Sequence, residues 1–216
     1  MGGLRRETTL KRNLAAALAL LSAACASAPA DDGPAPPSPP MVSVFTVAHQ
    51  DDWQLFMNPA AYRGMDEPQE KAVFIHVTAG DAGRGATGEP IPYFLAREEG
   101  ARRAVRFMAN AADPKMGRGV AVDSTMVDRA GHIIQRFTYA NAVIYFLRLP
   151  DGNIVNGSVY TPHPYSLERL RTQAVDAVAA VDGSVKFSGW SDLVATLAAI
   201  VEAERVAGSG LSLHIA

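Results

Sequence analysis

The hydrophobic positions of this chain fall into short apolar runs separated by segments of helical spacing. Val42 to Ala48 and Lys71 to Ala79 are dense in β-branched and aromatic residues, the composition of strands covered on both faces of a parallel sheet. A helix is expected between them, from about Trp53 to Tyr62. A second is expected over Tyr93 to Met108, where Ala101, Ala104, Val105 and Met108 share one face. Strands near 119–127, 132–138 and 141–149 are separated by Asp128-Arg129-Ala130-Gly131 and closed by Pro150-Asp151-Gly152, and read as a hairpin-like excursion. Leu193, Val194, Leu197, Ile200 and Val201 then recur at helical spacing. That helix opens near Ser188 or Ser191, with Gly208 past its end, and Leu211 to Ile215 begins another core strand. The rhythm predicts an α/β fold: a Rossmann-like open, mostly parallel sheet with helices on both faces.

The two ends of this pattern differ from its middle. Residues 1–28 carry Arg5, Arg6, Lys11 and Arg12 ahead of a short apolar stretch, Leu14 to Ala24, and small residues at Ala24, Ala26 and Ala28. They read as an export signal, with an apolar stretch too short for a stable membrane span. Cys25, the only cysteine, stands where a bacterial lipoprotein signal would place its lipidated residue, so a periplasmic protein and a membrane-anchored lipoprotein are the two expected forms. Residues 29–40 are a proline-rich spacer, and the domain runs from 41 to 216.

Composition narrows the chemistry. A body without a further cysteine can hold a metal only through nitrogen and oxygen. Loss of residues 1–28 takes four basic side chains and one acidic one, moving the formal net charge from −2 to −5, which does not suit nucleic acid.

His49-Gln50-Asp51-Asp52 follows the first apolar run directly. Ligand crevices of open α/β sheets lie beyond the carboxyl ends of the strands, and three titratable groups in four residues are costly to bury unless a cation joins them. The plainer reading is that the aspartates cap the helix that follows.

The segment Thr46-Val47-Ala48-His49-Gln50-Asp51-Asp52 resembles the His-Pro-Asp-Asp motif of the PIG-L/LmbE-like zinc-dependent deacetylases. Thr78-Ala79-Gly80-Asp81, Arg97 and Tyr145-Phe146-Leu147-Arg148-Leu149-Pro150-Asp151-Gly152 are similar to the exported bacterial branch of that family. The resemblance implies that His49 and Asp52 bind Zn2+, that Asp51 is the general base, and that Arg97 contacts substrate. The implied reaction removes an acyl group, in particular acetyl, from an N-acylated amino sugar or glycoconjugate. Gln50 replaces the motif's proline, which alters the turn but removes no ligand. Trp53 replaces a frequent acidic residue, which bears on the orientation of His49 and on the pocket mouth.

The family's third zinc ligand comes from a late histidine segment with no counterpart in these residues, so it is expected beyond Ala216. Of the remaining histidines, His163 on a loop is the most available substitute, His76 reads as a satisfied core histidine, His132 opens a hairpin strand, and His214 faces the site from the last strand. The other arginines near Arg97, namely Arg102, Arg103 and Arg106, read as a solvated helix face. Two alternatives stand beside the hydrolase: a carbohydrate-binding envelope lipoprotein that keeps the fold without catalysis, and a magnesium phosphohydrolase, which His49 disfavours.

Overall fold

The computed structural model describes residues 40–67, 69–87, 90–113, 122–156 and 158–216. The export signal expected over 1–28, Cys25 and all of the expected spacer except Pro40 lie outside the described residues. Among the described residues no helix is long and apolar enough to cross a membrane.

The centre is a six-stranded mixed sheet in the order β10-β1-β2-β5-β4-β3. Strands β1 (Met41–Val47), β2 (Glu70–Thr78), β5 (Ala142–Leu149) and β10 (Gly210–Ile215) are mutually parallel. Strands β3 (Asp123–Arg129) and β4 (His132–Tyr139) are joined to β5 as an antiparallel edge. The segment expected as a hairpin excursion is therefore part of the main sheet, because β5 turns back to lie beside β2.

Alternation along the inner strands separates two cores. Val42, Val44, Val73, Ile75, Val143, Tyr145 and Leu147 point to one face. Phe45, Val47, Ala72, Phe74, Ile144 and Phe146 point to the other. The second face is covered by α1 (Asp52–Phe56), α2 (Ala60–Asp66) and α3 (Tyr93–Ala112), which contribute Trp53, Met57, Ala61, Met65, Ala101, Val105 and Ala109. The first is covered by α4 (Leu167–Arg171) and α5 (Trp190–Glu204), through Leu170, Leu193 and Ile200. The single helix expected from Trp53 to Tyr62 is broken in two around Asn58-Pro59, since Pro59 carries no N–H to continue the ladder. Two small hairpins, β6 (Asn153–Asn156) with β7 (Val159–Pro162) and β8 (Ala177–Ala179) with β9 (Lys186–Ser188), complete the fold.

The path of the chain positions the site. From β1 it steps to β2 and then to β5 with α1 to α3 on one face, and it returns through α5 on the opposite face to β10, on the other side of β1. Strand order thus reverses at β1, the kind of place where a crevice opens beyond the carboxyl ends of parallel strands. His49 is two residues past that end.

Charge is also buried away from this edge. Glu204, at the end of α5, accepts hydrogen bonds from Arg136 Nε (2.7 Å) and Tyr145 Oη (2.6 Å) and pairs with Lys71 Nζ at 2.6 Å, with Arg129 at 3.6 Å. Glu98 on α3 is likewise held by Arg148 of β5, at 2.7 and 2.8 Å.

Candidate functional site

Three strand ends build the site. The loop after β1 supplies His49, Asp51 and Asp52, the loop after β2 supplies Gly80 and Asp81, and the loop after β5 supplies Asp151. Thr78 ties the first two together, its N–H and hydroxyl both donating to Ala48 O at 3.0 and 2.8 Å.

Gln50 does more than alter the turn. It is buried, and its amide donates to Thr78 O (3.1 Å) and Ala79 O (2.9 Å), clamping the two loops. Gly80 adopts φ +58, which favours glycine, and a Cβ there would displace the ends of the Gln50 and Arg97 side chains.

Trp53 does not shape a pocket mouth. It is fully buried against Phe74, with ring centroids 4.6 Å apart, because α1 turns that side chain inward. Nor do the aspartates cap α1 in the ordinary way. Asp51 occupies the N-cap position but makes no side-chain cap bond, while Asp52 reaches back to accept from His49 N at 2.8 Å.

The named residues do come together. His49 Nδ1 is 3.5 Å from Asp52 Oδ2, and Arg97 Nη2 is 2.5 Å from Asp51 Oδ1, with Arg97 Nη1 donating to Gly80 O at 3.1 Å. Asp51 is more than half exposed, at 55%. Arg102 and Arg103 both pair with Glu99; Arg103 is exposed as a solvated face requires, whereas Arg102 is half-buried and lies over the Phe137 ring at 4.9 Å.

Comparison of the chain with protein-family models, curated proteins and solved structures returned no match.

Asp151, in the Pro150-Asp151-Gly152 turn after β5, also belongs here. Asp151 Oδ1 stands 3.5 Å from His49 Nε2, and His49 thus lies between two carboxylates, one at each ring nitrogen. Asp151, with Asp52 behind it, raises the His49 pKa above 6.5 against the opposing effects of burial and Arg97. Burial would push Asp151 up, but His49 and the Ala82 N–H hold it below the usual carboxylate value. Asp151 is itself fixed from behind: its Oδ2 accepts from Ala82 N (2.7 Å) and its N–H donates to Asp81 Oδ1 (3.0 Å).

Imidazole and carboxylate are suitable zinc donors, and two ligands of one tetrahedral zinc lie about 3.4 Å apart. The 3.5 Å between His49 Nδ1 and Asp52 Oδ2 fits that spacing. Among the described residues no three His, Cys, Asp or Glu side chains form a group that could hold a metal ion; His49 and Asp52 fit as two ligands.

The other histidines lie elsewhere. His163 bonds within its own turn to Tyr165, His132 pairs with Asp192 at 2.8 Å, and His214 stacks on Phe45. His76 is buried against Phe146 with Nδ1 3.3 Å from Tyr145 O, yet Nε2 has no hydrogen-bond partner among the described residues, so it is only half satisfied. A cavity of about 690 Å³ adjoins the site on the Asp81 side, lined in part by Arg84, His163, Tyr165, Asp176 and Lys186. That volume is in the range of small-molecule sites.

Proposed function

We propose that this chain is an exported zinc-dependent hydrolase of Rossmann-like fold that removes an acetyl or related acyl group from an N-acylated amino sugar or glycoconjugate. The observation that carries the reading is the meeting of His49, Asp52, Asp51 and Arg97 at the carboxyl end of β1, from positions up to 48 residues apart. His49 and Asp52 would hold the metal. What zinc supplies in such a site is Lewis acidity toward an amide carbonyl and a water of lowered pKa.

Asp51 takes a proton from the attacking water and returns it to the leaving amine, the ordinary double duty of a general base. Arg97 positions Asp51 and forks onto a hydroxyl or carboxylate of the sugar as substrate enters. The cavity beside Asp81 gives the remainder of a glycoconjugate a place to lie. Export of the chain rests on residues 1–28, and attachment to a membrane would rest on Cys25.

The test is amine release from N-acetylglucosamine derivatives by the zinc-supplemented protein, with metal content measured in parallel. Asp51→Ala is expected to lower turnover by about 10²–10⁴-fold. Unchanged turnover in that variant removes Asp51 from the mechanism. Sugar binding without amine release would favour the non-catalytic lipoprotein.

A further inference from the structure

We infer that Asp151 is the positioning carboxylate of His49: it takes the ring proton on Nε2 and so presents the Nδ1 lone pair toward Asp52. The part of this inference that concerns metal rests on the zinc reading above. The part that concerns the tautomer does not.

Asp52 Oδ2 accepts the His49 backbone N–H at 2.8 Å. Asp151 Oδ2 accepts from Ala82 N. Asp151 Oδ1, on a side chain only 11% exposed, has no hydrogen-bond partner among the described residues, and His49 Nε2 stands 3.5 Å from it. A buried acceptor left without a donor is costly. A neutral imidazole has one proton to give, and it is worth most at the oxygen that otherwise receives none.

With the proton on Nε2, the other edge of the ring changes character. Nδ1 and Asp52 Oδ2 then face each other at 3.5 Å as two electron-rich atoms with no hydrogen between them. That arrangement is favourable only with a cation to share. Histidines that bind metals commonly donate their second N–H to a carboxylate, which fixes the ring and its tautomer. Trp53 cannot fill that role, being buried against Phe74. Asp151 reaches His49 from β5, and the Asp81 and Ala82 bonds hold it in place to do so.

The experiment uses the full chain. Ring 15N shifts of His49, assigned by their loss in His49→Gln, are recorded in metal-free protein at pH 8, and Zn2+ affinity is measured by chelator competition. The Nε2–H tautomer is expected in the wild type. A folded Asp151→Asn variant, checked by thermal unfolding, is expected to lose that preference and to bind Zn2+ about 10–100-fold more weakly. An Nδ1–H tautomer in the wild type overturns the inference without need of any variant. So does an unchanged tautomer in folded Asp151→Asn or, where the wild type binds Zn2+, an unchanged Zn2+ affinity in that variant. If the wild type shows the Nε2–H tautomer, the variant loses it, and neither takes up Zn2+, the orienting contact stands while the zinc hydrolase reading falls.

Discussion

Two clusters of charge lie on the same sheet, and they are finished differently. Around Glu204, a single buried carboxylate meets Lys71, Arg136 and Tyr145 at hydrogen-bonding distance, with Arg129 just beyond. Around His49, at the carboxyl ends of the strands, two carboxylates approach one ring at 3.5 Å without completing a hydrogen bond to it, and Asp51 stands half in solvent. Lys71 is near the amino end of β2, whereas Thr78 at its carboxyl end borders the His49 group. A saturated cluster holds elements together. The His49 cluster is where the proposed reading puts metal and substrate, and among the described residues Asp151 Oδ1 has no hydrogen-bond partner.

The largest effect expected from this contrast is in stability. Glu204→Ala should cost about 3–5 kcal/mol, because it leaves the cations and the Tyr145 hydroxyl packed around nothing. Urea unfolding of the variant checks this, and a loss below about 1 kcal/mol would show that the cluster is not saturated in any energetic sense. An acid scan gives the same answer from another side. Burial pushes the Glu204 pKa up, but Arg136, Lys71 and Tyr145 prevail and lower it from 4.5 to about 2. A folded pKa below the unfolded one means stability that is present above pH 4.5 and disappears as pH falls toward 2.

The contrast was only partly legible in the amino-acid sequence. Elements with dense apolar runs or a clear helical stripe, such as β1, β2, β5, α3 and α5, could be placed because their burial pattern is local. The hairpins β6–β7 and β8–β9 could not, since strands of three or four mostly exposed residues carry no periodicity to detect. His49, Asp51 and Asp52 were visible as a contiguous motif. Asp151 stood in plain view in a turn, but its meeting with His49 depends on β5 lying beside β2, a pairing that no local signal encodes. Glu204 was missed for a related reason: as the last residue of an amphipathic helix it reads as a solvated end, and only the sheet below it reveals Lys71 and Arg136. From the sequence Gln50 alters only the turn, whereas in the structure its amide also clamps two loops.

A middling effect is expected from His76, where incomplete pairing reaches into the core. Burial lowers its pKa from 6.5 to about 4. The unfolded chain therefore binds a proton that the folded one refuses, so this contribution to stability is full above pH 6.5 and is lost as pH falls to about 4. At pH 5 the loss is about 2 kcal/mol. His76→Phe should abolish that step while leaving the lower one, due to Glu204, intact. Unfolding free energies measured at pH 7.5, 5 and 3 for both proteins separate the two, and an unaltered upper step would assign it to another group.

The smallest effect is the most telling for the site. Asp51 and Arg97 make a short ion pair, but Asp51 is 55% exposed, and pairs open to solvent contribute about 0–1 kcal/mol. A double-mutant cycle with Asp51→Ala and Arg97→Ala should therefore give a coupling in unfolding free energy of less than about 1 kcal/mol, reduced further by added salt. The same two substitutions should each lower turnover, and Asp51→Ala should do so far out of proportion to its effect on stability. A coupling of about 3 kcal/mol or more would place the pair with Glu204 as part of the framework, and the distance of 2.5 Å would then describe a fastening. A weak coupling with a large loss of turnover is the combination expected of a base and its positioning arginine, kept near each other and ready to part when substrate comes between them.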